Sequence, residues 1–244
     1  LRGKSAVVTG GGRGIGRAVA HALARDGAAV TVAARSKDQV ERVAAELTAA
    51  GHVARAATVD VTDPDSVRAL AALGGADVLV NNAGIATSAP IKAIELEEWN
   101  RVLAVNATGT FLCLQAFIGG MAERRWGRVV NVASITSLSG APYIAAYTAS
   151  KHAVLGLTRV AAAEYRNKNV TVNAVCPGYV DTEMTSDSVS RVMDKTGLSK
   201  EEALAAILKT AGQPRLVSAE EVAYVVLSLA RDEAGAVNGQ AIGG

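Results

Sequence analysis

Short apolar runs alternate with longer helical stretches through the first half of the chain, and that alternation restricts the fold more than any other feature. SAVVTG (5–10), AAVTVAAR (28–35), HVARAATVDV (52–61) and ADVLVNNAG (76–84) read as strands. Helical patterns lie between them around Arg13–Arg25, Lys37–Ala50 and Asp65–Leu73. The strands lack polar–apolar alternation, so other elements should cover both of their faces. Repetition of this kind predicts an α/β domain with a doubly wound, right-handed parallel sheet. GRVVNVAS (127–134) and VTVNAVCPG (170–178) read as two further buried strands. No linker, repeat or low-complexity stretch divides residues 1–244, so a single domain is expected.

The first strand runs into TGGGRGIG (9–16). Glycines between a strand and a helix let the backbone turn sharply and approach a ligand closely. The helix start then offers free N–H groups and the positive end of its dipole to phosphate. The spacing departs from Gly-x-Gly-x-x-Gly, and Arg17-Ala18 stands where a P-loop needs Lys and Ser or Thr. Its place after the first strand favours a dinucleotide over a plain tight turn, with Gly10, Arg13, Gly14, Ile15 and Gly16 as contacts. The second strand ends Ala33-Ala34-Arg35-Ser36, with no acid before Asp38. An acid there would bind the ribose diol of NAD; Arg35, joined by Arg13, suits a 2′-phosphate instead. NADP(H) is therefore favoured over NAD(H). Asp60 and Val61 can bracket an adenine, although Asp60 also suits a strand-end turn with Thr62 and Asp63. In NNAG (81–84), Asn82 can support the turn while Ala83 and Gly84 admit a ribose.

A second cluster of chemistry lies in NVASITSLSGAPYIAAYTASK (131–151). Tyr147 and Lys151 are four apart and share a face of any helix that holds both. An ammonium beside a phenol favours the phenolate, which lowers the phenol's pKa from its usual value near ~10. Ser134 ends a strand, where open α/β sheets place ligands. Taken alone, the segment also reads as a strand, a loop and an amphipathic helix.

Residues 95–125 read as one long helix that is apolar on more than one side. Asn106 lies inside it, a poor helix former suited to serving a freed carbonyl or a water at a kink. The helix from Tyr147 to Tyr165 is rich in small residues and should face both the sheet and a partner, so an even-order homo-oligomer is expected. The stretch 181–215, with an amphipathic segment at Lys200–Lys209, reads as a lid that selects substrate. Residues 219–230 read as a final helix.

Taken together, the residues resemble the short-chain dehydrogenase/reductase family over essentially the whole chain. TGGGRGIG, NNAG, Asn106, Ser134, YTASK and Pro177-Gly178 occur in the family's order and spacing. The resemblance implies a Rossmann-type domain of about seven parallel strands, usually tetrameric, that transfers hydride between a nicotinamide and an alcohol or ketone. It places the catalytic tetrad on Asn106, Ser134, Tyr147 and Lys151. It also places cofactor contacts on Tyr147, Lys151, Pro177, Gly178, Val180 and Thr182, the last at the nicotinamide amide. Under it, Tyr147 is the proton donor, Ser134 holds the carbonyl oxygen, Lys151 lowers the Tyr147 pKa and grips the ribose, and Asn106 positions a relay water. Two stretches are shorter than the family pattern: the helix between the third and fourth strands, and the ending GQAIGG.

The lid and PGYVDTEMT resemble 3-oxoacyl-thioester and polyketide ketoreductases, which makes a phosphopantetheine or CoA thioester the leading substrate class. Small or cyclic ketones, hydroxy acids and sugar alcohols are the runner-up, and a silent nucleotide-binding scaffold is the rival of another class. Arg191, Lys195, Lys200 and Lys209 in the lid read mainly as surface charge. A net charge of +2 argues against a nucleic-acid surface. Cys113 and Cys176 read as small core hydrophobes, and three scattered histidines suggest no metal site. No apolar run reaches the roughly 18 residues of a membrane span, and the amino terminus shows no charged-then-apolar leader. A cytoplasmic protein is expected.

Overall fold

The computed structural model describes residues 1–243. Seven parallel strands form one sheet in the order β3-β2-β1-β4-β5-β6-β7. They are β1 (Ser5–Thr9), β2 (Ala29–Ala34), β3 (Ala54–Thr58), β4 (Val78–Asn81), β5 (Gly127–Val132), β6 (Val170–Cys176) and β7 (Ala241–Gly243). The order reverses between β1 and β4, which opens a crevice beyond their carboxyl ends. Despite the short ending, β7 forms: Ala241, Ile242 and Gly243 pair with Ala174, Val175 and Cys176.

The missing alternation in the strands has the expected cause. Ala6, Val8, Val78, Val80, Val130 and Val132 face one layer, with Val19, Leu23, Val226 and Leu229. Val7, Leu79, Val129 and Val172 face the other, with Val67, Leu70, Phe117 and Met121. The first layer is α1 (Gly14–Arg25), α2 (Lys37–Ala49) and a helix at Ala219–Ala230. The second is α3 (Pro64–Ala72), the long helix and a helix at Ala145–Tyr165.

The long helix is interrupted where Asn106 lies. α4 (Leu96–Leu103) passes into a π turn over Ala104–Thr108 and then α5 (Gly109–Glu123). Within Leu96–Glu123, 28 residues long, an 18-residue window reaches a mean hydropathy of 1.6, enough by length and composition to cross a bilayer. This corrects the sequence expectation that nothing reaches that length. In the fold it is a core helix: Val102, Cys113, Phe117 and Met121 are buried, the last three in the second layer. α6 (Ala145–Tyr165) starts two residues before Tyr147. α7 (Glu183–Thr196), not read from the sequence, and α8 (Lys200–Ala211) form the lid, and α9 (Ala219–Ala230) packs on α1.

A buried polar seam fixes α6 to the sheet centre. The Asn81 amide donates to Asn131 Oδ1 at 2.9 Å, and Asn131 Nδ2 donates to Thr158 Oγ1 on α6, also at 2.9 Å. Replacing Asn131 by Ala strands the Asn81 amide away from water and leaves Thr158 Oγ1 only its bond to the Val154 carbonyl. The expected loss is about 2–4 kcal/mol, counting the cost of unsatisfied buried groups. A urea titration checks it: the midpoint should fall with the slope unchanged.

Candidate active site

The glycine turn is as tight as its composition requires. A Cβ on Gly16 would stand 2.2 Å from the Gly10 carbonyl oxygen and 2.5 Å from Asn82 Nδ2. Gly14 has φ +50°, in the left-handed region. Asn82 does support the turn, because its amide donates to the carbonyls of Thr9 and Gly10 at 3.0 and 3.1 Å. Ala83 follows, its N–H donating to Thr9 Oγ1 at 3.2 Å. The first turn of α1 carries no acid, and Arg13 at its cap makes no capping bond. Gly14, Ile15 and Gly16 therefore open a helix with its N–H groups unspent, which suits a pyrophosphate.

The crevice is roofed by the segment after β6. The Pro177 carbonyl accepts from Ile135 N–H at 3.0 Å. Gly178 leaves room for Gln213, whose amide brackets Tyr179 with two bonds of 2.8 Å. Val180 is buried and bridges to Val217. Thr182 caps α7, and its methyl lies 3.2 Å from where a Cβ on Gly14 would be.

The ribose side agrees with the sequence reading in part. Arg35 is exposed at the end of β2, and its charge helps hold the Asp60 carboxyl below its ordinary value. The larger causes are hydrogen bonds from Thr62, whose N–H and hydroxyl donate to Asp60 Oδ1 at 2.9 and 2.7 Å. Asp60 is thus a turn-forming residue, the alternative the sequence left open. The Val61 side chain is 7% exposed and packs into the second layer against Gly109, which leaves little of it to face an adenine ring. Arg13 departs from expectation, since it reaches across to pair with Glu183 at the base of the lid.

The four tetrad positions converge. Lys151 is 5% exposed, donates from Nζ to the Val132 carbonyl at 2.8 Å, and lies 5.7 Å from the Tyr147 ring centroid. Asn106, 1% exposed, has Oδ1 accepting from Ile85 N–H. Its Nδ2 donates to the Ile85 carbonyl and to Ser150 Oγ, and all three bonds are 2.9 Å. Ser150 Oγ in turn donates to the Tyr147 carbonyl at 2.7 Å. The π turn thus presents Asn106 to the backbone just past NNAG, with Gly84 between Asn106 and Lys151.

Three neighbours escaped sequence reasoning. Thr136 donates to Ser134 Oγ from both its N–H, at 3.2 Å, and its hydroxyl, at 3.1 Å. With both lone pairs engaged, the Ser134 proton is left for the cleft. Ser150 and Thr9 are the other two. Only a Ser-x-Thr cap pattern hints at the first, and nothing local marks the rest.

The electrostatics correct one expectation. Burial pushes the Tyr147 phenol up to about 12, with Ser134 pulling the other way. Lys151, 5.7 Å from the ring centroid and donating to the Val132 carbonyl, does not offset this. Burial lowers Lys151 itself to about 8. A surface cavity of about 450 Å³, lined in part by Arg159, Arg166, Asn169 and Asn238, lies at the amino-terminal end of β6, away from this chemistry.

The model of the short chain dehydrogenase family matches residues 4–192. The chain belongs to the short-chain dehydrogenase family. It is 38% identical to 3-oxoacyl-[acyl-carrier-protein] reductase FabG of Staphylococcus aureus (strain Mu50 / ATCC 700699), over 98% of this chain and 95% of that one. It is 35% identical to D-beta-hydroxybutyrate dehydrogenase of Rhizobium meliloti (strain 1021), over 97% and 95%. Among solved structures, a variant of actinorhodin polyketide ketoreductase with NADPH superposes with a TM-score of 0.92 at 38% identity, covering 98% of this chain and 95% of that one. As a short-chain dehydrogenase the protein is an oxidoreductase whose redox partner is a nicotinamide cofactor, and the glycine cradle fits one.

The Lys151 burial has a consequence for stability. Its amine is near 8 in the folded chain against an ordinary 10.5. Between those values unfolding takes up a proton, so the unfolding free energy rises with pH across that window. Tyr147, held near 12, opposes this only above about 10, where an unfolded phenol ionises first. Replacing Lys151 by Met should flatten the rise. Urea titrations of both proteins at intervals across the window check it, and equal slopes would refute the assignment.

Proposed function

We propose that this short-chain dehydrogenase is an NADP(H)-dependent ketoreductase that acts on a 3-oxoacyl thioester. The carrying observation is the meeting of Ser134, Tyr147, Lys151 and Asn106 at the carboxyl edge of the sheet, beside a phosphate cradle whose rim carries Arg35 and no acid at the end of β2. When bound, the nicotinamide supplies hydride to the carbonyl carbon or takes it from the alcohol. Tyr147 moves the proton at the substrate oxygen. Ser134, its lone pairs held by Thr136, donates to that same oxygen. Lys151 holds the nicotinamide ribose and lowers the Tyr147 pKa once it turns from the Val132 carbonyl. Asn106 carries the link from Lys151 toward solvent through a water.

Ser36 caps α2 with its hydroxyl uncommitted, and with Arg35 it forms a site suited to a 2′-phosphate. The thioester reading draws on the likeness to the acyl-carrier-protein reductase and on a lid able to admit a long arm. A second reading, a short oxo or hydroxy acid, is favoured by Arg191 in the lid. A homotetramer in the cytoplasm completes the proposal. Phe111 on α5 and Val160 on α6, 43% and 57% exposed, offer apolar surface for that assembly.

Initial rates of acetoacetyl-CoA reduction with NADPH and with NADH test the function. NADPH should win clearly. Arg35→Ala should raise the KM for NADPH about 10–100-fold, as loss of a charge-assisted bond implies, and leave that for NADH near its starting value. Equal use of both cofactors by the parent protein would sink the arginine argument. Tyr147→Phe should reduce kcat by at least about a thousandfold with NADPH affinity within twofold, read by cofactor fluorescence. A variant that kept most of its activity would remove Tyr147 from the mechanism.

A further inference from the structure

One cation in the lid is placed unlike the others. Arg191 on α7 is half-buried, and its guanidinium donates to Ser188 Oγ at 2.8 Å. Its Nε is buried and has no partner, and no carboxylate lies within 4 Å of the guanidinium among the described residues. Asp187 and Asp194, on the same helix, are exposed and leave it unpaired. A buried guanidinium nitrogen without an acceptor is costly to keep, which calls for a group that arrives later.

The direction of that face of α7 is fixed by its neighbours. Met184, Ser188, Arg191 and Lys195 follow one another at helical spacing on one side. Lys195 Nζ reaches the Ser88 carbonyl at 3.4 Å. Ser88 belongs to the segment that leaves Gly84 beside Lys151 and is tied to Tyr143 by Ala89 N–H at 2.8 Å. This face therefore looks across the mouth of the tetrad cleft. Arg191 lies one turn from Lys195 toward the end of α7 that meets the glycine turn at Thr182 and Gly14. Tyr179 packs, with Val192 and Met193, on the cluster of Val189, Ala203 and Ile207; its phenol feels the Arg191 charge, and the Tyr147 phenol feels Tyr179.

We infer that Arg191, assisted by Lys195, is an anion subsite that holds a carboxylate or phosphate of the substrate while its carbonyl lies at Tyr147 and Ser134. This rests on the reading of the cleft as a ketone-reducing site and adds to it a requirement for negative charge. A guanidinium suits either anion, because its fork matches paired oxygens. A guanidinium one turn from Lys195, linked through the Tyr179 phenol to Tyr147, fits the carboxylate of a short 3-oxo acid. The mouth position of Lys195 fits the phosphates of a CoA arm.

The test is equilibrium binding to protein saturated with NADP+, in which a ketone has no hydride to accept. Acetoacetate, its neutral ethyl ester and acetoacetyl-CoA are titrated into the parent protein, Arg191→Gln and Lys195→Gln. Arg191→Gln should weaken acetoacetate binding at least tenfold, with the ester and NADP+ itself within twofold. Lys195→Gln should have a smaller effect, about two- to threefold. Loss confined to acetoacetate assigns the subsite to a carboxylate, and loss confined to acetoacetyl-CoA assigns it to phosphate. Equal weakening of the ester, unchanged binding of both anions, or no binding of either anion to the parent protein overturns the inference. Arg191-dependent anion binding without NADPH-linked turnover of any of the three would instead overturn the ketoreductase reading and leave the subsite standing.

Discussion

The docking of α6 on β5 is the constraint from which the site follows. Tyr147 and Lys151 stand on its first turns, and Ser134 stands just beyond the end of the strand beneath. If α6 slid by one turn, about 5 Å, Tyr147 and Ser134 would no longer face the same point. Two buried polar links prevent this. Asn131 holds Thr158 in the middle of the helix, and Val132 holds Lys151 near its start. Apolar packing alone is permissive about register, whereas a buried hydrogen bond is lost outright on a shift. The second link is also a tension, since a lone carbonyl is a poor partner for a desolvated ammonium. The depressed Lys151 pKa expresses that tension, with burial as its main cause, and a further acceptor beside the ammonium would relieve it.

The π turn solves a related problem. Asn106 must leave the path of a long core helix to reach Ile85 and Ser150. One extra residue in the turn widens the helix locally and carries the side chain outward, at the expense of regular hydrogen bonds. Thr110, whose hydroxyl donates to the Asn106 carbonyl at 2.7 Å, takes up one of the acceptors this disturbs. The same Asn then anchors the loop that begins the cleft wall. Helix irregularity, loop position and the start of α6 are thus one hydrogen-bonded unit.

Much of this was legible in the sequence because it is local. Strands covered on both faces write themselves as unbroken apolar runs, and the glycine turn, NNAG and the Tyr-x-x-x-Lys pair are each contained within a few residues. Even the disturbance at Asn106 was signalled by a poor helix former in an apolar helix. What stayed hidden depends on groups distant along the chain. Val61 turns inward only because Gly109 leaves a gap for it. Arg13 looked like a phosphate reader but has Glu183 within reach, 170 residues away. The effect of Lys151 on Tyr147 could be read as adjacency, but the sign of the net shift depends on burial and on the competing Val132 carbonyl. Arg191 looked like surface charge because helical spacing alone does not show that its Nε is buried without a partner.

These distant contacts show how the lid is attached. At its two ends it is held firmly: Thr185 donates to the Val180 carbonyl, and Gln213 clasps Tyr179 through both halves of its amide. Next to the glycine turn it is held weakly. The Arg13–Glu183 pair has side chains 60% and 64% exposed, and an exposed pair of this kind contributes at most about 1 kcal/mol. An anion arriving beside α1 would compete for Arg13 at little cost, and the Thr182 methyl at the base of α7 lies close beside Gly14. The lid is therefore pinned firmly to the segment it grows from and only loosely, through side chains, to α1.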